Sequence, residues 1–262
     1  MAQTSADAAL EYAQELVANG QLEPALEPLQ VAVEGFEKDG EPFGLIIALK
    51  VLSETHRDLG QLDRALAAVS KAYEVFVRTK PEAEQVGDFA TEIGSICAQM
   101  GKLSESRRWY SEGLKEYKTH HRPADIAHNL LCLAGLARQS STHDAAIALL
   151  QQARDALAPV SEEHGVQLCS VLLALSHSQL DAGAVQEAIA SCHEATSIAQ
   201  ELHRPELLAE SYQNLALAHA QANNVAQALE SIEQALHIYE NSGLHEQAEF
   251  AQLIQAKLKD NT

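Results

Sequence analysis

The chain has 262 residues, 46% of them apolar and only 5% aromatic, and carries 18 Lys and Arg against 37 Asp and Glu, a net charge of −19. A field of that sign repels nucleic acid and anionic lipid surfaces, where basic patches supply most of the affinity, so a neutral or basic partner is expected and nucleic acid is not. No apolar run of about 18 residues is present, so no membrane insertion is expected.

Six turn-forming residues punctuate the chain: Gly20, Gly60, Gly101, Ser141, Gly183 and Asn223, at intervals of 40, 41, 40, 42 and 40 residues. A fixed period of this size marks stacked helical units rather than a globular enzyme domain. The first unit reads as helices over 5–18 and 22–39, with Pro24 tolerable in a first turn and Pro28 expected to bend the second helix. The next pairs are 42–59 with 62–79, 82–100 with 103–119, and 123–139 with 143–158. They are followed by 161–182 with 185–202 and 205–222 with 225–241. Pro42, Pro81, Pro123 and Pro205 stand at leading-helix starts, where a missing amide donor costs nothing, and residues 161–163 offer an N-cap for the fifth unit. A last helix, 244–260, with Ala248, Ala251, Leu253, Ile254 and Leu258 on one side, caps the stack.

Within each unit the same columns recur. Eight positions before the turn stand Tyr12, Leu52, Ile93, Leu133, Leu175 and Leu215, and one step later the small Ala13, Ser53, Gly94, Ala134, Ser176 and Ala216. Five after the turn come Ala25, Ala65, Ser106, Ala146, Ala188 and Ala228. Twelve after it come Ala32, Ala72, Gly113, Ala153, Ala195 and Ala235. Columns that admit only Ala, Gly or Ser let two helix axes approach closely while large neighbours fill the gaps. The fourth unit departs most, with Ser141 for Gly and His143 for an apolar residue, so a local distortion is expected there.

Leu52-Ser53 leading to Gly60-Gln61-Leu62, then Ala65 and Ala72, together with Asn214-Leu215-Ala216 and Ala228 to Leu236, resemble tetratricopeptide repeats over roughly residues 5–260. The period is longer than the usual one of about 34 residues. In this it is similar to the repeats of kinesin light chains, Pins-type scaffolds and bacterial sensor proteins. The resemblance implies an all-α, right-handed superhelical solenoid of six antiparallel helix pairs plus a C-terminal capping helix. The array is expected as a single domain over 5–260, with repeats at 5–40, 41–80, 81–120, 121–160, 161–203 and 204–243 and the cap at 244–260.

The resemblance also implies that leading helices line a concave, partner-binding groove. Helical spacing from the turns then selects Lys50, Glu54 and Arg57 in the second repeat, and Thr91, Ser95 and Gln99 in the third. The fourth contributes His128, Leu131, Gly135 and Arg138; the fifth and sixth contribute Leu173, His177, Gln213, Asn214 and Leu217. Leu131, Leu173 and Leu217 read as an apolar floor, Gly135 as a place of close backbone approach, and Asn214 as a clamp on a peptide main chain. The Lys, Asn, Asn, Lys and Arg set of chaperone-tail clamps is absent.

Chemistry is sparse. His120, His121, His128 and Cys132 do not make a convergent zinc set, and Cys192 and His193 are adjacent, so they point in different directions on a helix. No GxxxxGK, GxSxG or HExxH occurs. No catalytic residue, metal or cofactor is therefore expected. Residues 1–7 lack the basic start and apolar core of a secretory signal. Cys97, Cys132, Cys169 and Cys192, without CxxC spacing, read as thiols of a reducing compartment, and a cytoplasmic location is the expectation. The leading functional reading is a non-enzymatic scaffold or adaptor holding a peptide or helix of another protein. The alternatives are a peptide- or ligand-sensing regulatory module and a homo-oligomer whose groove takes a second copy.

Overall fold

The computed structural model describes residues 5–80, 83–157 and 162–260, and among them the chain forms thirteen helices and no strand. They are α1 (Ser5–Ala18), α2 (Leu22–Asp39), α3 (Pro42–Asp58), α4 (Leu62–Thr79), α5 (Val86–Gln99) and α6 (Leu103–Thr119). Then follow α7 (Pro123–Gln139), α8 (His143–Ala156), α9 (Glu162–Asp181), α10 (Val185–Glu201), α11 (Pro205–Gln221), α12 (Val225–Asn241) and α13 (His245–Asp260). The architecture is an all-α helical repeat solenoid of antiparallel pairs. Pro42, Pro123 and Pro205 open α3, α7 and α11, while Pro81 and Ser161 lie outside the described residues.

Each pair is closed by the same backbone device. All six turn residues adopt positive φ, from 55° at Ser141 to 78° at Gly183. The turn N–H bonds three residues back and the next N–H five back, as in Gly60 to Arg57 (2.9 Å) and Gln61 to His56 (2.8 Å). This pairing satisfies carbonyls that a helix end would leave orphaned. The fourth repeat is not distorted at its turn: Ser141 to Arg138 (2.8 Å) and Thr142 to Ala137 (2.9 Å) reproduce the pattern. The same left-handed stop recurs between pairs at Gly40, His121, His203 and Gly243.

Two sequence expectations need correction. The helix expected from residue 82 begins at Val86, because residues 83–85 form a turn with Ala83 N–H on the Lys80 carbonyl (3.3 Å) and Val86 N–H on that of Ala83 (3.0 Å). Leu253 does not pack with the cap's apolar side. Ala248, Ala251, Ile254 and Leu258 are buried at spacings of three, three and four, and Leu253, one step off that stripe, is 62% exposed. Helix α2 runs through Pro28 without a break in its assignment.

The small-residue columns are where paired helices touch. The Ser53 hydroxyl donates to the Ala65 carbonyl at 3.0 Å, and that of Ser106 to the Gly94 carbonyl at 2.8 Å. Such bonds form only when the two backbones are nearly in contact. A Cβ on Gly94 would stand 3.0 Å from the Tyr110 ring. The helices group into two compact units, α1–α6 and α7–α13. In the first, Leu29, Val69, Ile93 and Ile96 are fully buried; in the second, Leu130, Leu150, Leu172 and Ile232 are.

Candidate partner-binding face

In the first unit the exposed stripe of α3 runs Phe43, Ile47, Lys50, Glu54, at spacings of four, three and four that place them on one side of the helix. Phe43 is 50% and Ile47 48% exposed, two apolar groups left in water beside charged ones. Lys50 Nζ lies 5.3 Å from the Phe89 ring centre, and Lys80 Nζ caps the Phe43 ring at 4.9 Å. Arg57 is half-buried, with its Nε 3.8 Å from Asp58. On α5, Thr91 and Ser95 are half-buried and Gln99 is exposed. The Thr91 hydroxyl donates to the Tyr117 hydroxyl (3.3 Å), which donates to Asp88 (2.9 Å).

Between these stripes sits Glu92 on α5. Burial pushes its carboxyl above the usual carboxylate range, with the Glu54 charge adding to the effect. The Lys50 and Arg57 charges oppose it. Its Oε1 is buried with no hydrogen-bond partner among the described residues.

In the second unit α7 and α9 enclose a recess of about 180 Å³ lined by His128, Leu131, Val166, Gln167 and Ser170. Gly135 opens to solvent, and a Cβ there would meet nothing within 4 Å. Arg138 is engaged: its Nε (3.0 Å) and Nη2 (2.9 Å) both donate to Asp181 Oδ2, which also lies 3.7 Å from His143 Nδ1. His143 thus stands in an apolar column but faces a carboxylate. His128 is exposed, with Nε2 3.7 Å from Cys132 Sγ. No group of three or more metal-ligating side chains gathers among the described residues.

The floor residue Leu173 and the clamp residue Asn214 are not offered to solvent. Leu173 is 3% exposed and Asn214 1%, because α9 packs against both α7 and α11 and the side chains between them are covered. Asn214 Oδ1 is 3.1 Å from His177 Nε2, so it ties α11 to α9, while its Nδ2 has no partner. Leu131, Leu217 and Gln213 are half-buried, and the buried Oε1 of Gln213 lacks a hydrogen bond.

Phe43, Ile47 and Glu92 were missed from the sequence, although a signal existed. Ile47 stands thirteen residues before its turn, as Glu210 does in the sixth repeat, and that position faces outward with the one three later. Glu92 and Asn214 both stand nine before their turns, the place where a leading helix meets the preceding one. Cys97, Cys169 and Cys192 are buried and not poised for chemistry. Burial pushes the Cys192 thiol up to about 11, opposed by a hydrogen bond with Ser176, and burial raises Cys97 and Cys169 as well.

No curated protein matches this chain in sequence. Solved structures do match in fold. BtubC (BKLC) from P. vanneervenii is 17% identical with a TM-score of 0.73, over 85% of this chain and 92% of that one. The quorum sensor NprR from B. thuringiensis, in its apo form, is 11% identical with a TM-score of 0.71, over 96% and 70%. A signal transduction ATPase with a tetratricopeptide repeat sensor from Pyrococcus horikoshii is 17% identical with a TM-score of 0.77, over 94% of this chain and 38% of that one. No helix among the described residues is long and apolar enough to cross a membrane. Residues 209–242 match the family model for the tetratricopeptide repeat, and the fold of the whole chain is a helical repeat solenoid similar to those solved structures.

Proposed function

We propose that this chain is a non-enzymatic interaction module that holds a peptide segment or helix of another protein on the exposed faces of its leading helices. The observation that carries the reading is the α3 stripe. Phe43 and Ile47 remain half-exposed beside Lys50 and Glu54, so apolar anchors lie within a polar rim. Interfaces of that composition bind through a few desolvated anchors, with polar neighbours fixing register. In the second unit the recess holding Leu131 and the open surface at Gly135 support the same use. Lys50, Glu54, Arg57, Ser95, Gln99, His128 and Leu217 are the rim and anchor residues of this proposal; Leu173 and Asn214 act as supports beneath it.

A second reading, peptide sensing, draws support from a Rap protein of similar fold solved with competence and sporulation factor bound, 12% identical with a TM-score of 0.58. There the ligand would bias one arrangement of the helices over another, which requires different affinity for the two.

A random peptide display selection against the full chain tests the main reading. Selected peptides should lose at least about tenfold in affinity on Ile47→Glu or Leu131→Glu, the loss expected when a buried anchor worth roughly 1.4 kcal/mol or more is replaced. Glu230→Gln, on trailing helix α12, should leave them unchanged. Peptides indifferent to both leading-helix changes would overturn the assignment.

A further inference from the structure

The C-terminal unit contains a recess that the sequence reading did not use. It lies between α11 and α13 with α12 at its back, has a volume of about 500 Å³, and is lined by Glu206, Glu210, Gln213, Tyr239, Glu246 and Phe250. Three carboxylates thus face one space, and no Lys, Arg or His among the described residues lines it. Glu206 has a distant partner in Arg204 at 3.9 Å on the exposed rim; Glu210 and Glu246 have no ion pair among the described residues.

Two further observations give this space a chemistry beyond a cluster of acids. Tyr239 is 4% exposed, lines the recess, and its hydroxyl has no hydrogen-bond partner among the described residues. Gln213 presents a buried Oε1 that is likewise unpartnered. A buried polar group without a partner is costly and rare, and it is satisfied when a donor arrives. The Gln213 Oε1 can only accept and so awaits an N–H, and the Tyr239 hydroxyl can accept one as well as donate. Phe250, 56% exposed, and Leu244 provide an apolar wall on which a ring face and aliphatic carbons can lie.

We infer that this recess binds a guanidinium, the arginine side chain of a basic peptide, with its stem against Leu244 and its plane on Phe250. Its N–H groups donate to Glu210, Glu246 and the unpartnered acceptors. A guanidinium offers five donors in a plane and stacks on aromatic faces, which suits acceptors spread around an open recess better than a single ammonium point charge. The net charge of −19 draws such a cation in before any contact forms. The inference deepens the leading-helix reading, since Glu210, Gln213 and Phe250 belong to that face of the second unit, but it is tested without any peptide.

The probes are N-acetyl-arginine methylamide and its neutral isostere, N-acetyl-citrulline methylamide, titrated into the ¹⁵N-labelled full chain at fixed ionic strength. The arginine derivative should shift amides of α11 and α13 saturably and bind at least about fivefold more tightly than the citrulline one, as a charge-assisted contact requires. Glu210→Gln and Phe250→Ala should each weaken it about threefold or more, the size of a partly exposed cation contact. Glu249→Gln, an equal change of charge on the exposed side of α13, should not. Equal binding of the two probes, or equal effects of Glu249→Gln and Glu210→Gln, would show only diffuse attraction to an acidic surface and would overturn the inference. Failure here, with display-selected peptides still sensitive to Ile47 and Leu131, would remove the recess and leave the wider reading standing.

Discussion

Ser141 carries a side chain at φ 55°, where Gly20, Gly60, Gly101 and Gly183 stand between 71° and 78°. A Cβ in the left-handed region costs about 1–2 kcal/mol, and part of that is returned because glycine loses more freedom on folding. Ser141→Gly should therefore stabilise the chain by about 0.5–1 kcal/mol in urea unfolding, and Gly60→Ala should destabilise it by a similar amount. No atom lies within 4 Å of a Cβ at Gly60, so the second effect isolates the backbone term. Glu92 has the opposite logic to a salt-bridged acid. Its folded pKa is raised, so its stabilising contribution is complete below the ordinary carboxylate pKa and is lost as pH rises through the folded value. Glu92→Gln should gain stability relative to the unaltered chain between pH 4 and 7, read from paired thermal unfolding curves. A constant difference across that range would mean Glu92 is solvated. Among the four thiols, Cys132 is half-buried and the others are buried. A disulfide-exchange reagent should thus modify one thiol rapidly in the native chain and all four after denaturation.

The helices were legible from the sequence because their determinants are local and repeated. Six left-handed stops and three small-residue columns fix where each leading helix ends and which side meets its partner. Boundaries fell within two residues of those expected, except at α5, where residues 83–85 turn before the helix begins. The face was less legible. Offset from a turn gives the direction of a side chain from its own helix axis, but not how closely the neighbouring leading helices approach. Leu173 and Lys50 stand at the same offset, yet Leu173 is covered between α7 and α11 while Lys50 extends over Phe89. The close approach of paired helices has a direct consequence. Ala195→Leu, in a small column with no exposed surface, should cost about 1–3 kcal/mol by overpacking. A thermal denaturation midpoint unchanged by that substitution would show that the columns are not the contact.

For the whole molecule, the proposed function distributes binding over the exposed faces of several leading helices, and the net charge of −19 favours a basic partner. Long-range attraction to a basic partner should then weaken as salt screens it, while the apolar anchors persist. Hydrogen–deuterium exchange of the full chain, with and without a display-selected peptide, tests the assignment of the binding face most directly. The account predicts protection concentrated in the leading helices α3, α5, α7, α9 and α11, with α4, α6, α8, α10 and α12 little changed. Protection confined to those trailing helices, at saturating peptide, would contradict it.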